Sequence, residues 1–382
     1  MGKNQRLKRR LGLNLLVLYG LGNILGAGIY VLIGEVSKES GPLLPFAFIL
    51  ASLVAALSAY SFAKLSSVYP KSGGEAAYVQ AAFSNKLLPL VTAIGIALSG
   101  IVSSATLSRG FLGYFDKFIP NTNHRLLMLV LIGTMTLLAV NQVDRAVKIA
   151  SLMTWLEILG LIMVIVSGWF YLDNKDIPIN LNLSASNIVD NFGLILSGAF
   201  IAFYAYLGFE DMSNIAEEVK SPNKTMPRGI YISLIVAGII YLSVGLIAQS
   251  VLGIDQLSNS TAPLSDVFKT STNIDLNILG LIGLAAITNG ILIQIIMVSR
   301  LIYGTNRDHP WLNIDFINKL NRNNVPSRIT LISGIVIFLF ANLLDLSTLA
   351  GVTSTILLII FNLVNLSLIK LNHNGTIHLG KS

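Results

Sequence analysis

Glu157 stands in Thr154-Trp-Leu-Glu-Ile-Leu-Gly160, inside a long run of apolar-rich sequence. An unpaired carboxylate in such a setting is costly, so the group must be protonated, paired or facing water. Two roles stay open. One is a carboxyl that takes up and gives back a proton as its access to water changes; the other is a neutral carboxyl that hydrogen-bonds a neighbouring helix. Thr288 and Asn289, adjacent in another apolar run, offer hydroxyl and amide oxygens of the kind a sodium ion takes, and that competes with the proton reading. Tyr204 and Tyr206 are placed either to close over a ligand or simply to fill space between helices.

Two stretches are chemically odd in a different way. In Leu11-Gly-Leu-Asn-Leu-Leu-Val-Leu-Tyr-Gly-Leu-Gly-Asn-Ile-Leu-Gly-Ala-Gly-Ile-Tyr30, glycines 20, 22, 26 and 28 crowd the middle of an apolar segment. Each costs a helix roughly 1 kcal/mol relative to alanine. The Gly22/Gly26 spacing suits close helix contact. Unwinding at Gly26-Ala27-Gly28 would instead free backbone N–H groups at the start of a half-helix, where a carboxylate binds well. A second interruption at Ala205 to Gly208 would expose carbonyls at the negative end of a half-helix, suited to an ammonium group. A carboxylate site beside an ammonium site describes a zwitterion and points to an α-amino acid.

The elements that position these groups follow from composition. Of the 382 residues 53% are hydrophobic and 12% charged, and the mean hydropathy of +0.71 excludes a water-soluble fold. Apolar runs of about 20 residues, enough to cross roughly 30 Å of hydrocarbon as helix, recur throughout. They give ten expected spans at about 11–33, 43–65, 87–108, 125–140, 148–171, 191–213, 229–252, 276–302, 329–344 and 347–370. With both termini in the cytoplasm, 20 of the 26 Lys and Arg fall on that side. The basic start, Met1 to Arg10, has no small-residue cleavage site and is expected to be retained. A first unit of residues 1–180 and a second of 181–370, five spans each, must lie in opposite orientations, which is an inverted repeat. Residues 371–382 form a polar cytoplasmic tail.

The net charge of +7 does not point to nucleic acid, because no basic face is interleaved with aromatic residues. There is no cysteine. The four histidines fall in loops or the tail, without metal-ligand spacing, and neither G-x-S-x-G nor a P-loop is present. An enzyme, a metal site and a cofactor are therefore not expected.

Four segments carry a resemblance. Asn23-Ile-Leu-Gly-Ala-Gly-Ile-Tyr-Val-Leu-Ile-Gly-Glu-Val36, Tyr69-Pro-Lys-Ser-Gly-Gly-Glu-Ala-Ala-Tyr78, the segment Gly198 to Arg228, and Ser299-Arg-Leu-Ile-Tyr303 with Arg307-Asp308 occur in family order. The chain resembles the amino acid-polyamine-organocation family of secondary transporters, most closely the cationic amino acid transporter branch and its prokaryotic relatives. The resemblance implies the all-helical five-plus-five fold of the sodium-coupled leucine transporter, with helices 1 and 6 broken, and alternating access. It implies that a substrate carboxylate meets the amides of Gly26, Ala27 and Gly28, and an ammonium the carbonyls of Ile24, Tyr204 and Leu207, beside Ala205 and Gly208. Glu210 matches a family position linked to gating and proton coupling; with Asp211 it is otherwise read as a salt bridge or helix cap. Relatives commonly have twelve or more helices, and many carry a lysine where Glu157 stands. The reading is an amino acid transporter of the cytoplasmic membrane, with a proton preferred as coupling ion. Sodium symport, exchange and a transporter-like sensor are the alternatives.

Overall fold

Helices dominate because the chain's apolar runs must satisfy their own backbone hydrogen bonds in hydrocarbon. The computed structural model describes residues 9, 11–25, 27–70, 74–85, 87–141, 143–175, 190–274, 278–308, 316, 320–321 and 325–377. In order the helices are α1 (Leu13–Leu25), α2 (Ala27–Ser40), α3 (Leu44–Val68), α4 (Gly74–Ala82), α5 (Leu87–Asp116), α6 (His124–Asn141) and α7 (Val143–Asn174). Then follow α8 (Phe192–Ala205), α9 (Pro222–Asn259), α10 (Pro263–Thr272), α11 (Ile278–Asp308), α12 (Ser327–Leu343) and α13 (Leu346–His373). Short 3₁₀ stretches occupy Gly41–Leu43 and Glu210–Glu218.

Among the described residues, seven stretches are long and apolar enough to cross a membrane, and Leu13–Leu25, His124–Val140 and Ser327–Leu343 are shorter apolar helices. Leu57, Leu343 and Ile235 are 73%, 75% and 61% exposed, which a lipid environment tolerates and water does not. The structure adds α4 and α10, absent from the expected spans because each is too short and too polar to read as one. The expected boundary near residue 180 lies outside the described residues. α13 runs on to His373, three residues into the expected tail.

Two packing groups surround the middle of the molecule. In one, α3 lies against α8 and α9, while α1 and α2 also lie against α9 and α2 against α8. In the other, α5 runs along α11 and contacts α12 and α13, with α6 against α11 and α12. α7 touches α1, α9 and α11 and so joins the two.

Glycine sets how closely these elements approach. At Gly113 of α5 an added Cβ would lie 2.2 Å from the Thr261 carbonyl oxygen, a backbone atom that cannot swing away. At Gly133 of α6 nothing lies within 4 Å. Gly113→Ala should therefore lower stability by about 1–3 kcal/mol, whereas Gly133→Ala should be neutral or stabilising by up to about 1 kcal/mol. Thermal unfolding of the two purified variants in one detergent checks the contrast, and equal melting temperatures would refute it.

Candidate functional site

A helix ends in the interior beside a glycine-rich helical stretch. α8 stops at Ala205 and the chain turns through residues 206–209 before the 3₁₀ stretch, while α1 and α2 are the helical residues on either side of Gly26, which lies outside the described residues. The two segments press on each other backbone to backbone. A Cβ on Gly28 would lie 3.1 Å from the Ala205 Cα, and one on Gly208 would lie 2.6 Å from the Asn23 carbonyl carbon. Gly208 also has φ +120°, a conformation that residues with a Cβ rarely adopt.

Helix ends leave backbone groups without partners, and here side chains supply them. The Tyr241 hydroxyl of α9 lies within hydrogen-bond reach of the carbonyls of both Ile24 and Ala205, the latter at 2.8 Å. The Phe203 and Tyr204 carbonyls accept from the N–H groups of Tyr206 and Leu207 at 3.0 and 3.2 Å. The Gly208 N–H donates to Glu210 Oε2 at 2.8 Å, so this carboxyl caps the turn.

A cavity of about 90 Å³ lies beside this junction. Ile24, Gly28, Tyr204, Ala205, Leu207 and Gly208 line it, as do Glu157, Glu210 and Asn289. Gly26 lies outside the described residues, and Ala27 is described only as helix backbone. Glu157 is 1% exposed, and neither carboxyl oxygen has a hydrogen-bond partner among the described residues. Its backbone is held instead, since the Tyr30 hydroxyl donates to the Glu157 carbonyl at 2.8 Å. Buried Asn23 Nδ2 and Gln294 Oε1 on the same wall are also unpartnered among the described residues. Glu157, Glu210 and Asp211 give the wall three carboxyls, and no basic side chain lines it among the described residues.

The two tyrosines part company. Tyr204 lines the cavity, its hydroxyl 2.7 Å from Ser103 Oγ, whereas the Tyr206 hydroxyl donates to the Phe48 carbonyl at 3.1 Å, away from it. Thr288 and Asn289 divide likewise. The Thr288 hydroxyl turns back to the Leu284 and Ala285 carbonyls, both at 2.9 Å, and Thr288 is not on the cavity wall. Sequence reasoning missed Tyr241, which nothing local distinguishes from the other tyrosines. It also missed any role for Glu75, visible only as part of the Tyr69 to Tyr78 motif.

An amino acid permease family model matches residues 12–378. The chain is 31% identical over 326 residues to the chloroplastic cationic amino acid transporter 9 of Arabidopsis thaliana, covering 79% of this chain and 56% of that one. It thus spans little more than half the length of that relative. It is 26% identical to the branched-chain amino acid permease BcaP of Bacillus subtilis (strain 168), covering 96% of this chain and 81% of that one. Its fold is similar to a substrate-bound outward-open structure of a Na+-coupled sialic acid symporter, with TM-score 0.64 and 14% identity over 96% of this chain and 82% of that chain. The relatives are transporters and permeases, not enzymes, and the chain belongs to the amino acid permease family.

Proposed function

We infer that the chain forms the core of a secondary transporter that moves an amino acid across the cytoplasmic membrane by alternating access. The observation that supports this reading is the close backbone approach of the turn after α8 to the glycine-rich α1/α2 stretch, Gly28 against Ala205 and Gly208 against Asn23, beside a cavity holding a carboxyl without partners among the described residues. Donors at the start of α2 suit the substrate carboxylate. Carbonyls at the ends of α1 and α8 suit its ammonium group, each keeping a second lone pair beyond the bond it already accepts. In this reading the ten spans form two inverted units of five, and α1/α2 and α8 with its 3₁₀ continuation are the broken first helix of each unit.

Proton coupling is the preferred energy source. A buried carboxyl without partners favours its neutral form until water or a cation reaches it, and three carboxyls with no basic side chain suit a wall that exchanges protons. Thr288 directs its hydroxyl proton to its own helix, which leaves only Asn289 of the sodium-type pair on the cavity wall. The face where Leu11 bridges to Val219 is the cytoplasmic one in this reading. Neither the cationic nor the branched-chain relative fixes the transported side chain.

The test is uptake of labelled standard amino acids into proteoliposomes in sodium-free buffer, with and without an inward proton gradient. Accumulation should require the gradient and vanish with a protonophore. Glu157→Gln should abolish gradient-driven accumulation while leaving exchange of internal for external substrate. Accumulation by the variant equal to the wild type would remove Glu157 from coupling. Tyr241→Phe leaves the Ile24 and Ala205 carbonyls without their hydroxyl and should cost about 1–3 kcal/mol of stability. Wild-type melting and uptake in that variant would show that the two helix ends do not depend on it.

A further inference from the structure

A third buried carboxyl lies just beyond the cavity. Glu75 begins α4, is 2% exposed, and is not on the cavity wall. α4 docks directly on the 3₁₀ stretch that follows the second interrupted helix. A Cβ on Gly74 would lie 2.3 Å from Asn214 Oδ1 and 3.1 Å from Ser213 Oγ, so glycine is required for this approach, and its φ of +45° requires it too. The Asp211 carboxyl, which does line the cavity, is close enough to repel that of Glu75. Two hydroxyls share this pocket of protein. Ser213 and Tyr78 are each 0% exposed, and neither side-chain oxygen has a hydrogen-bond partner among the described residues.

Buried carboxyls with spare hydroxyls between them are the parts of a proton path. We propose that Glu75 is a proton-relay residue, the next carboxyl outward after Glu210 and Asp211, passing the coupled proton from the cavity to water on the face where Leu11 meets Val219. The proposal rests on the proton-coupled reading above. Glu75 releases its proton to water, and the carboxylate left behind takes the proton of the Asp211 carboxyl, one O–H bond breaking as the other forms, directly or over a hydroxyl. Asp211 then takes up the next proton from the cavity, and the cluster returns to its starting charge.

The charged groups around Glu75 permit this. The 3₁₀ stretch brings Glu210 and Asp211, with Glu217 and Glu218 further along. α5 has no charged residue before Arg109, and α13 brings Lys370 and His373. Lys370 lies over the Phe83 ring, 4.4 Å from its centre, just past the end of α4. α4 is not a membrane-spanning segment. Burial, reinforced by the Asp211 carboxyl and opposed by its own backbone N–H, pushes the Glu75 carboxyl up to about 8. It is therefore largely protonated at neutral pH and ionises as pH rises through that value. Relative to an unfolded glutamate near 4.3, it destabilises the fold progressively between about pH 4.3 and 8.

The experiment follows proton entry with a trapped pH dye in proteoliposomes, beside exchange of labelled substrate without a gradient. In Glu75→Gln, proton entry per transported substrate should fall at least about tenfold, while exchange stays within about twofold of wild type. Melting temperature between pH 6 and 9 should also lose part of its slope in that variant. Glu75→Asp, which keeps a titratable group, should restore proton entry with a shifted pH profile. If Glu75→Gln does not fold, Glu75→Asp decides alone: an unshifted pH profile overturns the proposal. Unchanged proton entry in Glu75→Gln overturns the relay and leaves proton coupling standing. A wild type that exchanges substrate without moving protons overturns the coupling reading and the relay with it.

Discussion

Backbone hydrogen bonding in an apolar solvent governs this molecule. A helix that crosses hydrocarbon satisfies its own N–H and C=O groups, but one that stops part-way leaves up to four of each without partners. α8 stops in the interior, and the structure provides for the backbone groups around its end from three directions. Tyr241 reaches the Ile24 and Ala205 carbonyls from α9. Glu210 accepts the Gly208 N–H from the turn itself. The remaining α8 carbonyls close locally onto Tyr206 and Leu207.

The same junction is held by shape. Gly28 against Ala205 and Gly208 against Asn23 bring two backbones into contact where any Cβ would intrude. At Gly208 the φ of +120° also lets the chain leave the helix.

Acidic side chains are distributed outward from that junction. Glu157 sits behind it with no partner, Glu210 is committed to a backbone N–H, and Asp211 faces the cavity from the edge of the 3₁₀ stretch. Glu75 lies one step further, in a helix that a glycine allows to dock on the same stretch. Carboxyls in such surroundings are expensive to charge, and a wall without basic side chains does nothing to offset that cost.

The membrane setting, the helical class and the turn at the end of α8 were legible in the chain because each is a local property: apolar run length, and glycine where helix propensity should be high. Glu157 stood out for the same reason, as a carboxyl among apolar neighbours. What lay beyond local pattern was direction. Thr288 and Asn289 are adjacent, but successive residues on a helix point about 100° apart, so only Asn289 reaches the cavity. Tyr204 and Tyr206 separate because the chain leaves the helix between them and their hydroxyls find Ser103 and Phe48 on opposite sides. Tyr241 and Glu75 acquire their roles only when α9 and α4 pack against distant segments, since partners 217 and 136 residues away in the chain cannot be read from spacing. The sequence by itself determined the solvent, the helices and the places where they fail; tertiary contact decided which groups meet there, because a side chain's partner is set by the path of the whole backbone.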